Sequence, residues 1–223
     1  MKSNWEITKK RSQYHFNPDI MDPKFDRVIS LGRIKPNWSS ELQQVMQHTY
    51  SASWRTSRPD QSGPYLDIEA RSEEYDLESI GMDKNHIITD LNFNLPPLFQ
   101  KIVDEFGLIM SVARVHVQRP GQLWNLHLDK LEKWADGDLT QAARYSIQLT
   151  DWQMGHFWHY GNYQYAHWHA GDVTTFDWIN VPHSTANAGN TPRATLQITG
   201  RKTEKTHRFL DKLKNTDQLD INE

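Results

Sequence analysis

The sequence predicts a mainly β fold with flanking helices, built as a double-stranded β-helix, or jelly roll. Three observations carry this reading. The hydrophobic period changes from 3.6 to 2 at Ile109, and eight short strand-like runs then follow one another to Arg201. Turn signals such as Pro120-Gly121, Ala170-Gly171-Asp172 and Ala188-Gly189-Asn190 separate those runs. At 223 residues one large domain is expected over 1–223, with a helical and loop support region over 1–108, the β core over 109–201, and a helix with a tail over 202–223.

Taken in order, the stretch to about Phe25 is polar, lacks periodicity and is punctuated by Pro18 and Pro23, so it reads as a surface wrap. A strand is expected from Arg27 to Ile34. Asn37-Trp-Ser-Ser-Glu is a capping pattern, and Leu42, Val45 and Met46 follow at helical spacing, giving a helix from about Ser39 to Tyr50. Ser51 to Asn85 is rich in turn residues and reads as a long surface loop. Leu95-Pro-Pro opens a second helix with Leu98, Ile102, Val103 and Phe106 on one face and Gly107 at its end. The eight strands are Ser111 to Gln118, Leu123 to Asp129, Ala143 to Thr150, Gly155 to Tyr160, Gln164 to Ala170, Val173 to Asp177, His183 to Ala188 and Arg193 to Gly200. Thr203 to Leu213 reads as an amphipathic helix, and the tail beyond Lys214 as frayed.

Composition narrows the chemistry. A formal net charge of -3 gives no general attraction to nucleic acid or to an anionic membrane, so neither is expected as a partner. With no cysteine, disulfides, a thiolate nucleophile and a zinc-thiolate site are excluded, and any metal must be held by imidazole and oxygen ligands. No run is apolar enough for a signal-peptide core or a membrane span, and a cytoplasmic protein is expected. Nine tryptophans and 11 histidines, many between Trp124 and His183, mark a packed β core or a lined pocket.

Three residues stand out as metal ligands: His127, Asp129 and His183. On an extended strand His127 and Asp129 point together, while Trp124, Leu126 and Leu128 point the other way. A His-x-acid triplet is expected about once by chance in a chain of this composition, so the dyad gains weight only from its context. It follows a Pro-Gly turn, sits on a strand, and precedes Pro182-His183 at the start of a later strand. Two imidazoles and a carboxylate suit three neighbouring positions of a ferrous ion. Arg193 comes ten positions after His183 and shares a face with Thr195, with Ala194, Leu196 and Ile198 on the other. A guanidinium beside a hydroxyl suits a carboxylate, although alone Arg193 reads as an ordinary strand arginine.

Together, His127-x-Asp129, His183 and Arg193-x-Thr195 resemble the iron triad and cosubstrate anchor of the Fe(II)/2-oxoglutarate-dependent oxygenases, over about Ser111 to Arg201. Gly171-Asp172, Phe176, His183, Asn187 and Arg193 are also similar to the C-terminal half of aspartyl/asparaginyl β-hydroxylase-like and prolyl 4-hydroxylase-like members. The first 105 residues carry no such likeness. The resemblance implies Fe(II) on His127, Asp129 and His183 as the catalytic centre, with O2 and 2-oxoglutarate as cosubstrates. The distal carboxylate of 2-oxoglutarate would lie on Arg193 and Thr195. It implies hydroxylation of an unactivated C–H bond with release of succinate and CO2, on an amino-acid side chain in a protein or peptide, or on a free amino acid or other small molecule. Arg144 is added as a second cosubstrate contact, because some β-hydroxylase-like members place an arginine on that strand; a surface role for it is equally in keeping with the sequence.

Other readings stand beside this one. His156, His159, His167 and His169 offer a second zinc or copper set, with His167 and His169 on one strand face. His86 and His116 read as structural. Trp152, Trp158, Trp168 and Trp178 read as packing between two sheets, some of them at the mouth of the site. A cupin-type metal enzyme without 2-oxoglutarate would need the triad but not Arg193. A non-catalytic jelly-roll module binding carbohydrate or peptide would need neither. A nucleic-acid demethylase is disfavoured, since Arg201 lies too far from Arg193 for the paired-arginine pattern of that branch.

Overall fold

A computed structural model of the chain describes residues 28–47, 87–88, 95–121, 123–129, 131–135 and 137–222. Its elements are β1 (Ile29–Arg33), α1 (Ser39–Gln47), β2 (Ile87–Ile88), α2 (Pro97–Phe106), β3 (Ile109–Gln118), β4 (Leu123–His127), α3 (Glu132–Ala135), a 3-10 turn (Leu139–Gln141), β5 (Ala142–Gln148), β6 (His156–Tyr160), β7 (Tyr163–Tyr165), β8 (Asp172–Thr175), β9 (His183–Asn187), β10 (Arg193–Arg201) and α4 (Glu204–Lys214). Two antiparallel sheets face one another: a six-stranded one in the order β1-β8-β5-β10-β3-β2, and a four-stranded one in the order β4-β9-β6-β7. This is the double-stranded β-helix with flanking helices that the periodicity predicts.

The helices explain where the cavity lies. α2 starts on Pro97, whose missing N–H is not needed in the first turn, and ends at Gly107 in the left-handed region with φ 61. α4 starts with a capping box between Thr203 and Thr206. Both lay an apolar stripe on the large sheet: Phe99, Ile102 and Phe106 from α2, Phe209 and Leu213 from α4. They pack against Val115, Val117, Tyr145, Ile147, Leu196 and Ile198, the outward residues of β3, β5 and β10. With its apolar face covered in this way, the large sheet turns its alternate, polar residues inward. A second, aromatic core of Trp158, Tyr160, Trp168, Phe176 and Trp178, with Leu131, Trp134 and Val181, packs near the small sheet.

Several expectations are corrected. The strand expected over Leu123 to Asp129 ends at His127, with a register shift between Trp124 and His127. The strand expected over Gln164 to Ala170 is only Tyr163–Tyr165; the chain then leaves the sheet, with His167 at φ 58, to bury Trp168, whose Nε1 donates to Thr150 O at 3.0 Å. The tail is not frayed. Leu219 bridges Ile34 in parallel, exchanging hydrogen bonds with Arg33 and Lys35, and Leu219 and Ile221 are buried. Neither α3, which buries Trp134, nor the short β2 was expected. The segments to Phe25 and over 51–85, residues 48–50 of the first helix, and His86 lie outside the described residues. Among the described residues no helix is long and apolar enough to cross a membrane.

Candidate metal centre

β4 and β9 pair so that His127 stands directly opposite His183. Asp129 lies two residues past His127, fixed by a hydrogen bond from its N–H to Trp178 O at 2.9 Å. His127 Nε2 is 3.6 Å from Asp129 Oδ1, and His183 Nε2 is 3.4 Å from Asp129 Oδ2. One ligand atom from each residue lies within 4.8 Å of the other two, and this is the one such cluster among the described residues. Ligands on one face of an octahedral ion with bonds of about 2.1 Å stand about 3 Å apart, so a divalent ion fits with small side-chain adjustments.

The protonation states suit this use. Nδ1 of His183 is 3.2 Å from Val181 O, and donation there leaves the Nε2 lone pair facing Asp129. Burial, with His127 alongside, lowers the His183 pKa below the ordinary imidazole value, favouring the neutral, ligating form. Burial opposes charge on Asp129 as well, but the Arg144 guanidinium and the two imidazoles outweigh it and hold the carboxyl well below the usual carboxylate range.

Arg144 is buried rather than on the surface, and among the described residues it pairs with the triad carboxylate. Its Nη1 forms an ion pair with Asp129 Oδ2, and its Nε donates to Thr199 Oγ1 at 2.8 Å. The guanidinium lies 5.3 Å from the Trp178 ring centroid, while Trp178 Nε1 donates to the Arg144 carbonyl at 2.9 Å. So held, Arg144 supports the carboxylate of the triad.

The rest of the cavity wall follows from the register of β10. Arg193 stands opposite Gln118, Thr195 opposite His116 and Gln148, and Gln197 opposite Arg114 and Ser146. Arg193, Thr195 and Gln197 line the same cavity as His127, Asp129 and His183, while Ala194, Leu196 and Ile198 lie in the helix-covered core. The cavity offers about 110 Å³ to the centre of a water molecule.

Arg193 is only 4% exposed. Its guanidinium sits 5.0 Å from the Trp158 centroid and 5.7 Å from that of Trp168, with a long hydrogen bond of 3.5 Å to Phe157 O. No carboxylate faces it among the described residues. Burial pushes its pKa down to about 10, so it stays charged at neutral pH. Thr195 Oγ1 donates to Gln148 Oε1 at 3.1 Å, while Gln118 Oε1 and Gln148 Nε2 are buried without a protein partner. Leftover polar groups beside an unmatched buried cation are the signature of a ligand site.

Two cavity residues are not among the site residues expected from the sequence. His116, read as structural, lines the cavity, as does Trp124. The register shift in β4 brings Trp124 to the same side as His127, with ring centroids 6.0 Å apart, which strict alternation forbids. His116 was findable, since it lies between Arg114 and Gln118 at every second position of a strand. Trp124 was not, because a bulge leaves no clear sequence mark.

The second histidine set does not assemble. Gln153 N donates to His156 Nδ1 at 3.2 Å and His156 Nε2 meets Thr191 O at 3.0 Å, so both ring nitrogens are engaged. His167 lies in the irregular stretch beside Trp152, and the exposed His169 lies near Asp151. Trp158, Trp168 and Trp178 pack in the aromatic core with Trp152 at its margin, and Trp158 and Trp178 also wall the cavity.

Fold and site thus define a class: a cupin-like double-stranded β-helix with a candidate His-Asp-His metal centre inside it. No family model matches the chain, and no curated protein matches it. Among solved structures it is similar to a non-heme monooxygenase, ThoJ in a nickel complex, with 14% identity and a TM-score of 0.41 over 79% of this chain and 74% of that one. It is also similar to a Cupin 2 conserved barrel domain protein from Salinispora arenicola, with 15% identity and a TM-score of 0.29 over 46% of this chain and 71% of that one. A predicted oxalate decarboxylase from Thermotoga maritima shares 20% identity and a TM-score of 0.30 over 40% of this chain and 65% of that one.

Proposed function

We propose that the protein is an Fe(II)- and 2-oxoglutarate-dependent dioxygenase that hydroxylates a C–H bond of an amino-acid side chain or of a small molecule. The observation that carries this reading is the buried Arg193, which faces no carboxylate yet lines the same cavity as the triad. A cupin-type enzyme working with metal alone on an uncharged substrate has no use for such a cation. Burying a guanidinium without an anionic partner is costly, and a ligand carboxylate supplies that partner.

His127, Asp129 and His183 would hold the ion. Bound iron and 2-oxoglutarate would supply the oxidising power drawn from O2, with succinate and CO2 released. The chain's own contribution is placement and charge. Arg144 takes one carboxylate oxygen of Asp129, leaving the other edge of the group for metal. The Val181 carbonyl fixes the ring of His183. Trp158 and Trp168 cover the guanidinium of Arg193, so its pairing with the distal carboxylate takes place away from bulk water, where it is stronger. Thr195 adds a hydroxyl beside it.

The test is an anaerobic titration of the metal-free protein with Fe(II) and then 2-oxoglutarate, following the weak visible charge-transfer band of a chelated keto acid. The band should appear and be absent from Asp129→Ala. Iron binding with no band and no succinate formation would refute the cosubstrate assignment.

A further inference from the structure

Trp38, Trp152, Trp168 and Trp178 each give their indole N–H to a backbone carbonyl: Leu149 O at 3.1 Å, His156 O at 3.0 Å, Thr150 O at 3.0 Å and Arg144 O at 2.9 Å. Trp158 breaks this pattern. It is only 5% exposed, yet its Nε1 has no acceptor among the described residues. Folded cores rarely leave an indole N–H in that condition, because the group loses its water and gains nothing in return.

The place of Trp158 in the fold supplies a reason. It stands on β6 opposite Thr185 of β9, and both line the cavity. The arginines of the lining, Arg114, Arg144 and Arg193, all come from the large sheet, whereas Trp158 comes from the small one. The guanidinium carbon of Arg193 is 5.0 Å from the Trp158 ring centroid. An indole nitrogen lies about 2 Å from its ring centre, so Nε1 is within about 7 Å of that carbon. A carboxylate paired with a guanidinium holds its carbon about 4 Å away, and its oxygens accept hydrogen bonds at about 2.9 Å. One carboxylate can therefore meet both groups.

Neighbouring polar groups are already engaged. Thr195 Oγ1 donates its proton to Gln148 Oε1 at 3.1 Å. Gln118, opposite Arg193, gives Nε2 to Thr185 Oγ1 at 3.1 Å, and its remaining Oε1 repels an anion. Gln148 Nε2 lacks an acceptor too, but Gln148 does not line the cavity.

We propose that the Trp158 indole N–H is the second donor to the carboxylate that Arg193 holds, so that the anchor is a guanidinium–indole pair drawn from both sheets. This assignment rests on reading Arg193 as the cosubstrate anchor. It replaces the guanidinium–hydroxyl pair that Arg193-x-Thr195 suggests, and it makes Trp158 a ligand contact as well as a cover for the cation.

Nitrogen–proton NMR on labelled, Zn(II)-loaded protein tests it, with the Trp158 indole signal identified as the one missing from Trp158→Phe. Adding 2-oxoglutarate should move that signal downfield. By calorimetry Trp158→Phe should weaken 2-oxoglutarate about tenfold, the worth of a hydrogen bond to a charged group, with Zn(II) affinity kept. Thr195→Val should lose less, and Thr195→Ser nothing. Since Phe also alters packing, benzothienylalanine is placed at the same position; it keeps the indole shape, carries sulfur for N–H, and should show the same loss. A signal that stays put while 2-oxoglutarate binds and Arg193→Gln abolishes that binding overturns the proposal and spares the cosubstrate reading. A larger loss in Thr195→Val than in Trp158→Phe does the same. If 2-oxoglutarate does not bind, but succinate or glutarate moves the signal in an Arg193-dependent way, the pair stands and the cosubstrate reading falls. If none of the three binds, both fall.

Discussion

Replacing Arg144 with Met in the metal-free protein leaves the Asp129 carboxylate buried without its cation. Arg144 and Asp129 have side chains only 7% and 12% exposed, so water screens the pair little. Breaking a buried ion pair by removing one partner costs about 3–5 kcal/mol. In a domain of this size that corresponds to a fall in Tm of about 6–20 °C, at about 2–4 °C per kcal/mol. Asp129→Asn should cost a similar amount by stranding Arg144. The double variant removes both charges, so its loss should fall short of the sum of the two by about 2–4 kcal/mol. Saturating Zn(II) should restore part of the stability of Arg144→Met, because the ion gives Asp129 a positive partner again, and should restore less in the double variant. The assay is urea unfolding in chelator and in Zn(II). Losses that simply add, to within about 0.5 kcal/mol, would refute the pairing. The pH dependence has a definite sign: the folded pKa of Asp129 is depressed, so the pair contributes fully above the unfolded value near 4 and is lost only as pH falls through the lower folded value.

Arg193→Gln should weaken 2-oxoglutarate by about tenfold to a hundredfold, measured by calorimetry, with metal affinity unchanged, since the guanidinium touches no triad residue. Burial lowers the His156 pKa, so its contribution to stability is present above the ordinary imidazole value near 6.5 and is lost as pH falls below it. The unfolding midpoint should therefore drop from pH 7 to pH 5, and His156→Gln should flatten that part of the curve. Phe106→Ala, in the fully buried contact of α2 with Tyr145 and Phe209, should cost about 3–5 kcal/mol in urea unfolding. Gly171 has φ 93, and a Cβ there would lie 1.9 Å from Ile34 O; Gly171→Ala should destabilise by about 2–4 kcal/mol, seen as early exchange of the Ile34 amide that bonds Gly171 O.

The sheet core was legible because its residues obey a period of two with little interference. Ala194, Leu196 and Ile198 against Arg193 and Thr195 on β10 is the clearest case, and the alternation alone puts Arg193 and Thr195 on the face opposite the apolar core. The capping residues Thr203 and Gly107 marked helix ends for equally local reasons. What the sequence hid was non-local. The bulge that swings Trp124 beside His127 depends on pairing with β9. The short β7 gives way to a loop because Trp168 reaches the Thr150 carbonyl, a contact 18 residues away. The ordered tail depends on an exposed backbone edge at Arg33 to Lys35 that only the fold creates. Arg144 was legible as a residue of the cavity face, but its ion pair with Asp129 was not, because the reach of its side chain to Asp129 is a matter of distance between sheets.

The two walls of the cavity have divided their labour. Every triad residue belongs to the β4–β9 side, and all three arginines hang from the six-stranded side. Each wall can therefore be rebuilt without redrawing the other. A descendant that lost its two histidines would keep the arginines of the other wall, and one that traded Arg193 for an apolar residue would keep all three candidate metal ligands with Arg144 still paired to Asp129. The scaffold keeps the candidate metal ligands and the arginines on separate pieces of backbone, tied by the Arg144–Asp129 ion pair, by Arg193 on the Phe157 carbonyl and by Gln118 with Thr185 and Asn187, and a designer wishing to change one without the other knows which strands to leave alone.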